Sequence, residues 1–171
     1  MALTFVLGGA RSGKSGYARR EAEAAAAPSG QLVMIATAEA LDAEMGERIA
    51  RHRAERAPAW TTVEAPRALE AALAGLGAAD VAVVDCLTLW LTNMMLDEAD
   101  LGARVAGLVA AMTACPARLF VVSNEVGQGI VPDNALARRF RDEAGWMHQA
   151  VAAAADRVIL VSAGLPLVLK G

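Results

Sequence analysis

The chain alternates between short runs that are apolar almost throughout and longer stretches that mix apolar with charged residues. The runs lie at 3–7 (LTFVL), 31–37 (QLVMIAT), 81–85 (VAVVD), 118–123 (RLFVVS) and from 157 onward (RVILVS). A strand that is apolar on both faces is buried on both faces, as in a parallel sheet covered by helices. The intervening stretches predict helices over 14 to about 26, 42 to about 56, 66 to about 75, 87–96, 98–113 and 134–155. Pro28 and Gly30 stop the first, Asp42 caps the second, Pro66 stands as the first residue of the third, and Gly75 and Gly77 end it. Residues 61–65 (TTVEA) predict a further short strand. The segment after Gly164 predicts an antiparallel edge strand. Strands alternating with helices specify an α/β fold of three layers, with right-handed crossovers. No repeat or linker interrupts the pattern, so residues 1–171 read as a single domain.

Composition narrows the class. Hydrophobic residues make up 56% of the chain and aromatic residues only 4%. The core is therefore mostly Ala, Leu and Val, which suits helices on a sheet better than an aromatic-rich β-sandwich. The net charge of −3 argues against a nucleic-acid protein working through bulk positive charge. Cys86 and Cys115 have no metal-ligand spacing and read as reduced, packed thiols of a cytoplasmic protein. The apolar start lacks a basic segment and stops at the glycines, so no signal peptide is expected. No uninterrupted apolar stretch reaches the ~18 residues of a membrane span.

The first candidate chemistry is GGARSGKS, at Gly8, Gly9, Ala10, Arg11, Ser12, Gly13, Lys14 and Ser15. It fits G-x-x-x-x-G-K-S/T, the phosphate loop, and stands between a predicted strand and a predicted helix, which is the context that motif needs. Glycines let several backbone N–H groups turn toward one anion, and the helix N-terminus adds partial positive charge. Lys14 is then placed to bridge β- and γ-phosphates and Ser15 to hold Mg²⁺. A second acid at a strand end commonly completes such a metal site. Asp85 ends VAVVD in that position, although it could equally cap the helix that follows.

The second candidate is His52. Met45, Ile49, His52 and Arg56 are spaced four, three and four apart and share one helical face, with Arg51 and Arg53 beside the histidine. Neighbouring cations keep an imidazole neutral, and a neutral imidazole can attack phosphorus while arginines hold the phosphate oxygens. The same spacing fits a partly buried histidine with solvated arginines. His148, in GWMHQAV, reads as helix surface or packing.

Four segments together resemble one family. LGGARSGKS, IATAEALDAEMGERIARHR, VVDCLTLWLTNMM and the long stretch from SNEVGQGIVPD to LPLVLK look like the bifunctional adenosylcobinamide kinase/adenosylcobinamide-phosphate guanylyltransferases of cobalamin biosynthesis. The resemblance spans nearly the whole chain and implies a RecA-like P-loop fold. It implies two reactions. ATP or GTP phosphorylates the aminopropanol hydroxyl of adenosylcobinamide, and GMP then passes from GTP through a histidine to the phosphorylated corrinoid. That histidine falls on His52. The family's nucleotide contacts fall on residues 8–15, on Ala36, Thr37 and Ala38, on Arg53, Ala54, Glu55 and Arg56, and on Glu64 and Asp85. A homotrimer with shared sites is also implied; from charge and hydropathy, no nucleic-acid partner and no stable membrane association are expected. Two other readings are a P-loop kinase with a different acceptor, which does not need His52, and a nucleotide-switched RecA-like ATPase. The latter calls for a basic face that this short acidic chain lacks.

Overall fold

A computed structural model describes residues 2–39 and 59–171. Among these residues seven strands form one sheet: β1 (Ala2–Gly8), β2 (Leu32–Ala36), β3 (Trp60–Glu64), β4 (Val81–Asp85), β5 (Arg118–Asn124), β6 (Arg157–Ser162) and β7 (Leu165–Lys170). Their spatial order is β3-β2-β4-β5-β1-β6-β7. All pairs are parallel except β6–β7, which is antiparallel. The described helices are α1 (Lys14–Ala25), α2 (Leu69–Ala74), α3 (Leu87–Leu96), α4 (Leu101–Ala114) and α5 (Ala135–Ala154).

The apolar runs are strands because both sheet faces are covered. Successive strand side chains point to opposite faces. Phe5, Val84 and Val121 enter one core with Trp90, Leu108, Met147 and Val151 of α3, α4 and α5. Val6, Val83 and Val122 enter the other with Tyr17, Ala18 and Ala22 of α1. The edge strand β7 is exposed along its length. Its Lys170 donates to the carbonyls of Ala152 and Ala153 at 3.0 and 2.9 Å. This satisfies carbonyls left open at the end of α5 and places a cation at the negative end of the helix dipole.

Two element starts differ from the periodicity. Pro66 does not open α2, which begins at Leu69. The carbonyl of Pro66 accepts from Asn93 Nδ2 at 2.9 Å, and that of Arg67 accepts from Arg104 at 2.9 Å. The guanidinium of Arg67 pairs with Asp97 and Glu39. These long-range bonds hold residues 66–68 out of the helix. Likewise α4 starts at Leu101 rather than 98, because the Asp100 side chain accepts from the Ala103 amide at 3.1 Å and sets the N-cap there. The predicted helix 42–56 and its Asp42 cap lie outside the described residues. No helix among the described residues is long and apolar enough to cross a membrane.

Candidate active site

Between β1 and α1 the backbone makes a tight loop. Arg11 and Gly13 have φ of 54° and 94°, both left-handed. Gly13 suits that conformation, whereas Arg11 adopts one uncommon for a residue with a side chain. Space is the second constraint. A Cβ on Gly8 would stand 2.6 Å from the Val161 carbonyl oxygen and 2.4 Å from Ser12 Oγ. The β6–β7 turn braces the loop from outside, with Gly164 N donating to Ser12 O at 2.8 Å. Gly8→Ala therefore forces backbone apart. We expect it to lower unfolding free energy by about 2 kcal/mol, read as an earlier urea midpoint, and to weaken nucleotide binding.

The loop's electrostatics point to an anion. Helix α1 has no side-chain cap and no acidic residue in its first turn. Its leading N–H groups thus have no capping side chain among the described residues and stand at the positive end of the dipole. Lys14 sits at this same end, is only 8% exposed, and its Nζ donates to Gly9 O at 3.1 Å. A buried ammonium beside a helix N-terminus gathers two sources of positive potential at one spot, which suits an anion. Ser12 is also buried, and its Oγ has no hydrogen-bond partner among the described residues. Ser15, one residue into α1, is half-buried.

Strand register brings the other residues to the same sheet edge. Glu64 of β3 pairs with Ala36 of β2, which pairs with Asp85 of β4. Asp85 in turn pairs with Val122, and Gly8 with Asn124. Strand β4 is two strands from β1, or ~10 Å at ordinary strand spacing. Asp85 does not cap α3, whose N-cap is Cys86 with no side-chain bond.

This edge is tied by polar side chains that local sequence signals did not identify. Thr37 is fully buried; its hydroxyl donates to Cys86 O at 2.7 Å and accepts from Cys86 N at 2.8 Å. Asn93 of α3 donates to Thr37 O and Pro66 O at 3.0 and 2.9 Å, joining the ends of β2 and β3. Asn124 Nδ2 donates to Thr88 Oγ1 at 2.7 Å. Asn93 is a polar residue inside the apolar helix LTLWLTNMML, which is the signal that could have found it. Cys86 is a packed thiol here. Burial pushes its pKa up, the Asp85 charge adds to this, and Lys14 opposes it.

Comparison with known proteins agrees with this geometry. The family model described as cobinamide kinase/cobinamide phosphate guanyltransferase matches residues 4–169. The chain belongs to that family. It is similar to the bifunctional adenosylcobalamin biosynthesis protein CobP of Pseudomonas aeruginosa, 51% identical over 171 residues, covering 98% of this chain and 96% of that protein. It is also similar to the bifunctional adenosylcobalamin biosynthesis protein CobU of Escherichia coli, 40% identical over 184 residues, covering 98% and 99%. A solved ATPase domain superposes with a TM-score of 0.52 at 10% identity, covering 93% of this chain and 68% of its own. At that identity it shares the P-loop fold alone. As a member of the cobinamide kinase/guanyltransferase family, the chain is a bifunctional transferase.

Of the residues that the family resemblance singles out, the structure brings together 8–15, Ala36, Thr37, Ala38, Glu64 and Asp85 at the carboxyl ends of the strands. Ligands of open α/β sheets bind at that edge. His52, Arg53, Ala54, Glu55 and Arg56 lie outside the described residues.

His148 is a packing residue of this cobinamide kinase/guanyltransferase. Its Nε2 is 2.8 Å from Ser123 Oγ, and its ring centroid is 5.7 Å from that of Phe5. Burial lowers its pKa to about 4, with Glu125 acting weakly the other way. Between that value and the ordinary 6.5, the unfolded chain binds a proton that the folded chain refuses. This contribution to stability is complete above pH ~6.5 and falls as pH drops through the window. Asp80 and Asp97 are held below the ordinary carboxylate value of 3.8, by amides of Gln31 and Gly77 and by Arg67 respectively, so they titrate below this window. Urea melts should show the wild type losing about 2 kcal/mol between pH 7 and pH 5, and His148→Asn losing much less.

Proposed function

We propose that the chain phosphorylates the aminopropanol hydroxyl of adenosylcobinamide with ATP or GTP, and then guanylylates the product. In the first step the hydroxyl oxygen attacks the γ-phosphorus, the γ-phosphorus–oxygen bond to the β-phosphate breaks, and the nucleoside diphosphate leaves. In the second, a His52 ring nitrogen attacks the α-phosphorus of GTP and pyrophosphate leaves. A phosphate oxygen of adenosylcobinamide phosphate then attacks that phosphorus, the phosphorus–nitrogen bond breaks, and adenosylcobinamide-GDP forms with the imidazole restored. A covalent intermediate divides a transfer between two large anions into two easier displacements.

One observation carries this reading: an uncapped helix N-terminus and the buried Lys14 converge on one loop in a chain of the cobinamide kinase/guanyltransferase family. The loop amides and Lys14 hold the β- and γ-phosphates, which places the terminal phosphorus for in-line attack. Ser15 and Asp85 are the residues that would hold Mg²⁺, an oxygen-seeking ion that neutralises phosphate charge when bound. Their hydroxyl and carboxylate fit it. Among the described residues no cluster of three or more His, Cys, Asp or Glu competes for that role. Ala36, Thr37, Ala38 and Glu64 border the nucleotide along the strand ends, and Arg53, Ala54, Glu55 and Arg56 accompany His52.

The reading takes residues 1–171 as one nucleotide-binding unit, supported by relatives matched over 96% and 99% of their own lengths. It places that unit in the cytoplasm, supported by the two free, buried cysteines, and in a homotrimer, supported by the family resemblance. The test is product formation. Adenosylcobinamide, Mg²⁺ and γ-labelled ATP or GTP should yield labelled corrinoid, and added GTP should convert it to the GDP derivative. Corrinoid left unmodified with both nucleotides would overturn the reading.

A further inference from the structure

The loop from β5 to α5 and the first turn of α5 expose apolar side chains that the described fold does not bury. Ile130 is 97% exposed, Val131 65% and Leu136 68%. The loop carrying them is built rigidly. The Glu125 carboxylate accepts from Gly127 N at 2.6 Å and Gln128 N at 3.3 Å. Arg141 donates to Gly129 O at 3.3 Å, and Arg138 to Pro132 O and Asp133 O at 2.9 and 2.8 Å. Asn134 then caps α5 through the Ala137 amide at 2.8 Å. Hydrogen bonds thus bracket Ile130 and Val131 on both sides while their side chains face outward. Both are β-branched and stiff at χ1, so covering them loses little side-chain entropy.

The loop's root identifies what covers them. Glu125 N donates to Gly8 O at 2.9 Å, so this segment leaves directly from the first residue of the phosphate loop. Ile130 is five residues beyond Glu125, an extended reach of at most ~17 Å. An acceptor whose reactive arm meets the terminal phosphate has this segment within reach of the rest of its body. A corrinoid has a broad macrocycle with apolar faces and methyl groups, too wide for a pocket in so small a fold. It needs an apolar ledge beside the nucleotide.

We propose that Ile130 and Val131, with Leu136, form that ledge and bind the corrin ring of the acceptor in both reactions. The inference rests on adenosylcobinamide being the acceptor, and the test separates the two claims. Steady-state rates are measured with the full-length chain and an Ile130→Ser/Val131→Ser double variant, varying adenosylcobinamide and GTP separately. Loss of two apolar contacts should raise KM for adenosylcobinamide about 10-fold or more. KM for GTP and incorporation of α-labelled GMP into the protein without corrinoid should stay unchanged, and Ile130→Leu should keep the wild-type KM. An unchanged corrinoid KM at wild-type rates overturns the ledge alone. So does an equal loss of GMP incorporation, or a fall in sedimenting mass, which would assign the patch to a second copy of the chain. A wild-type protein that leaves adenosylcobinamide unmodified overturns the function reading and the ledge with it.

Discussion

Lys14→Ala should lower phosphoryl transfer to adenosylcobinamide by about 10³-fold, the scale of removing one preorganised electrostatic donor. The stability of the fold should barely change. The variant loses the 3.1 Å bond to Gly9 O, a loss of about 1 kcal/mol. It also removes the cost of burying an ammonium, which offsets part of what the bonds of that side chain contribute. The loop itself is held by Gly164 N on Ser12 O and Tyr17 N on Gly13 O, neither of which involves the lysine side chain. Urea midpoints close to wild type with a collapsed transfer rate would separate chemistry from folding. Lys14→Arg should not restore the rate. A guanidinium is planar and bulkier than an ammonium, and this position is only 8% exposed. A kinase rate within a few-fold of wild type in Lys14→Ala would contradict the assignment of the loop.

What was legible in the sequence follows from what is local. The strands could be read because each is packed on two faces, which leaves an apolar run with little polar interruption. The phosphate loop could be read because its donors are contiguous in the chain. The ties across the sheet edge could not. Asn93 reaches Thr37 across 56 positions, Asn124 reaches Thr88 across 36, and the Gly164 brace meets Ser12 from the far end of the chain. Those meetings depend on strand order, and periodicity reports only the face of one element. The start of α2 departs from the local signal for the same reason. Proline at a first helical turn is a local preference, and Asn93 and Arg104 outbid it from elsewhere in the fold. Asp85 had two local readings, and Cys86 standing as the N-cap of α3 removes one of them. His52 had two as well. Its spacing suits a packed histidine better than a nucleophile, and family resemblance alone favours the second.

His52→Ala should abolish the second reaction while sparing the first. The proposed phosphorylation of the hydroxyl uses the loop and its lysine and no protein nucleophile. Guanylyl transfer through a covalent intermediate has no route without the imidazole, and alanine leaves nothing to attack the α-phosphorus. The variant should therefore accumulate adenosylcobinamide phosphate and stop there.

The most direct measurement is protein labelling with GTP carrying its label on the α-phosphate. In the presence of Mg²⁺ and without corrinoid, the wild type should retain acid-labile, base-stable label. Adenosylcobinamide phosphate should discharge it as adenosylcobinamide-GDP, and His52→Ala should take up none. Wild-type turnover with no protein-bound label, or equal label in His52→Ala, would contradict the account.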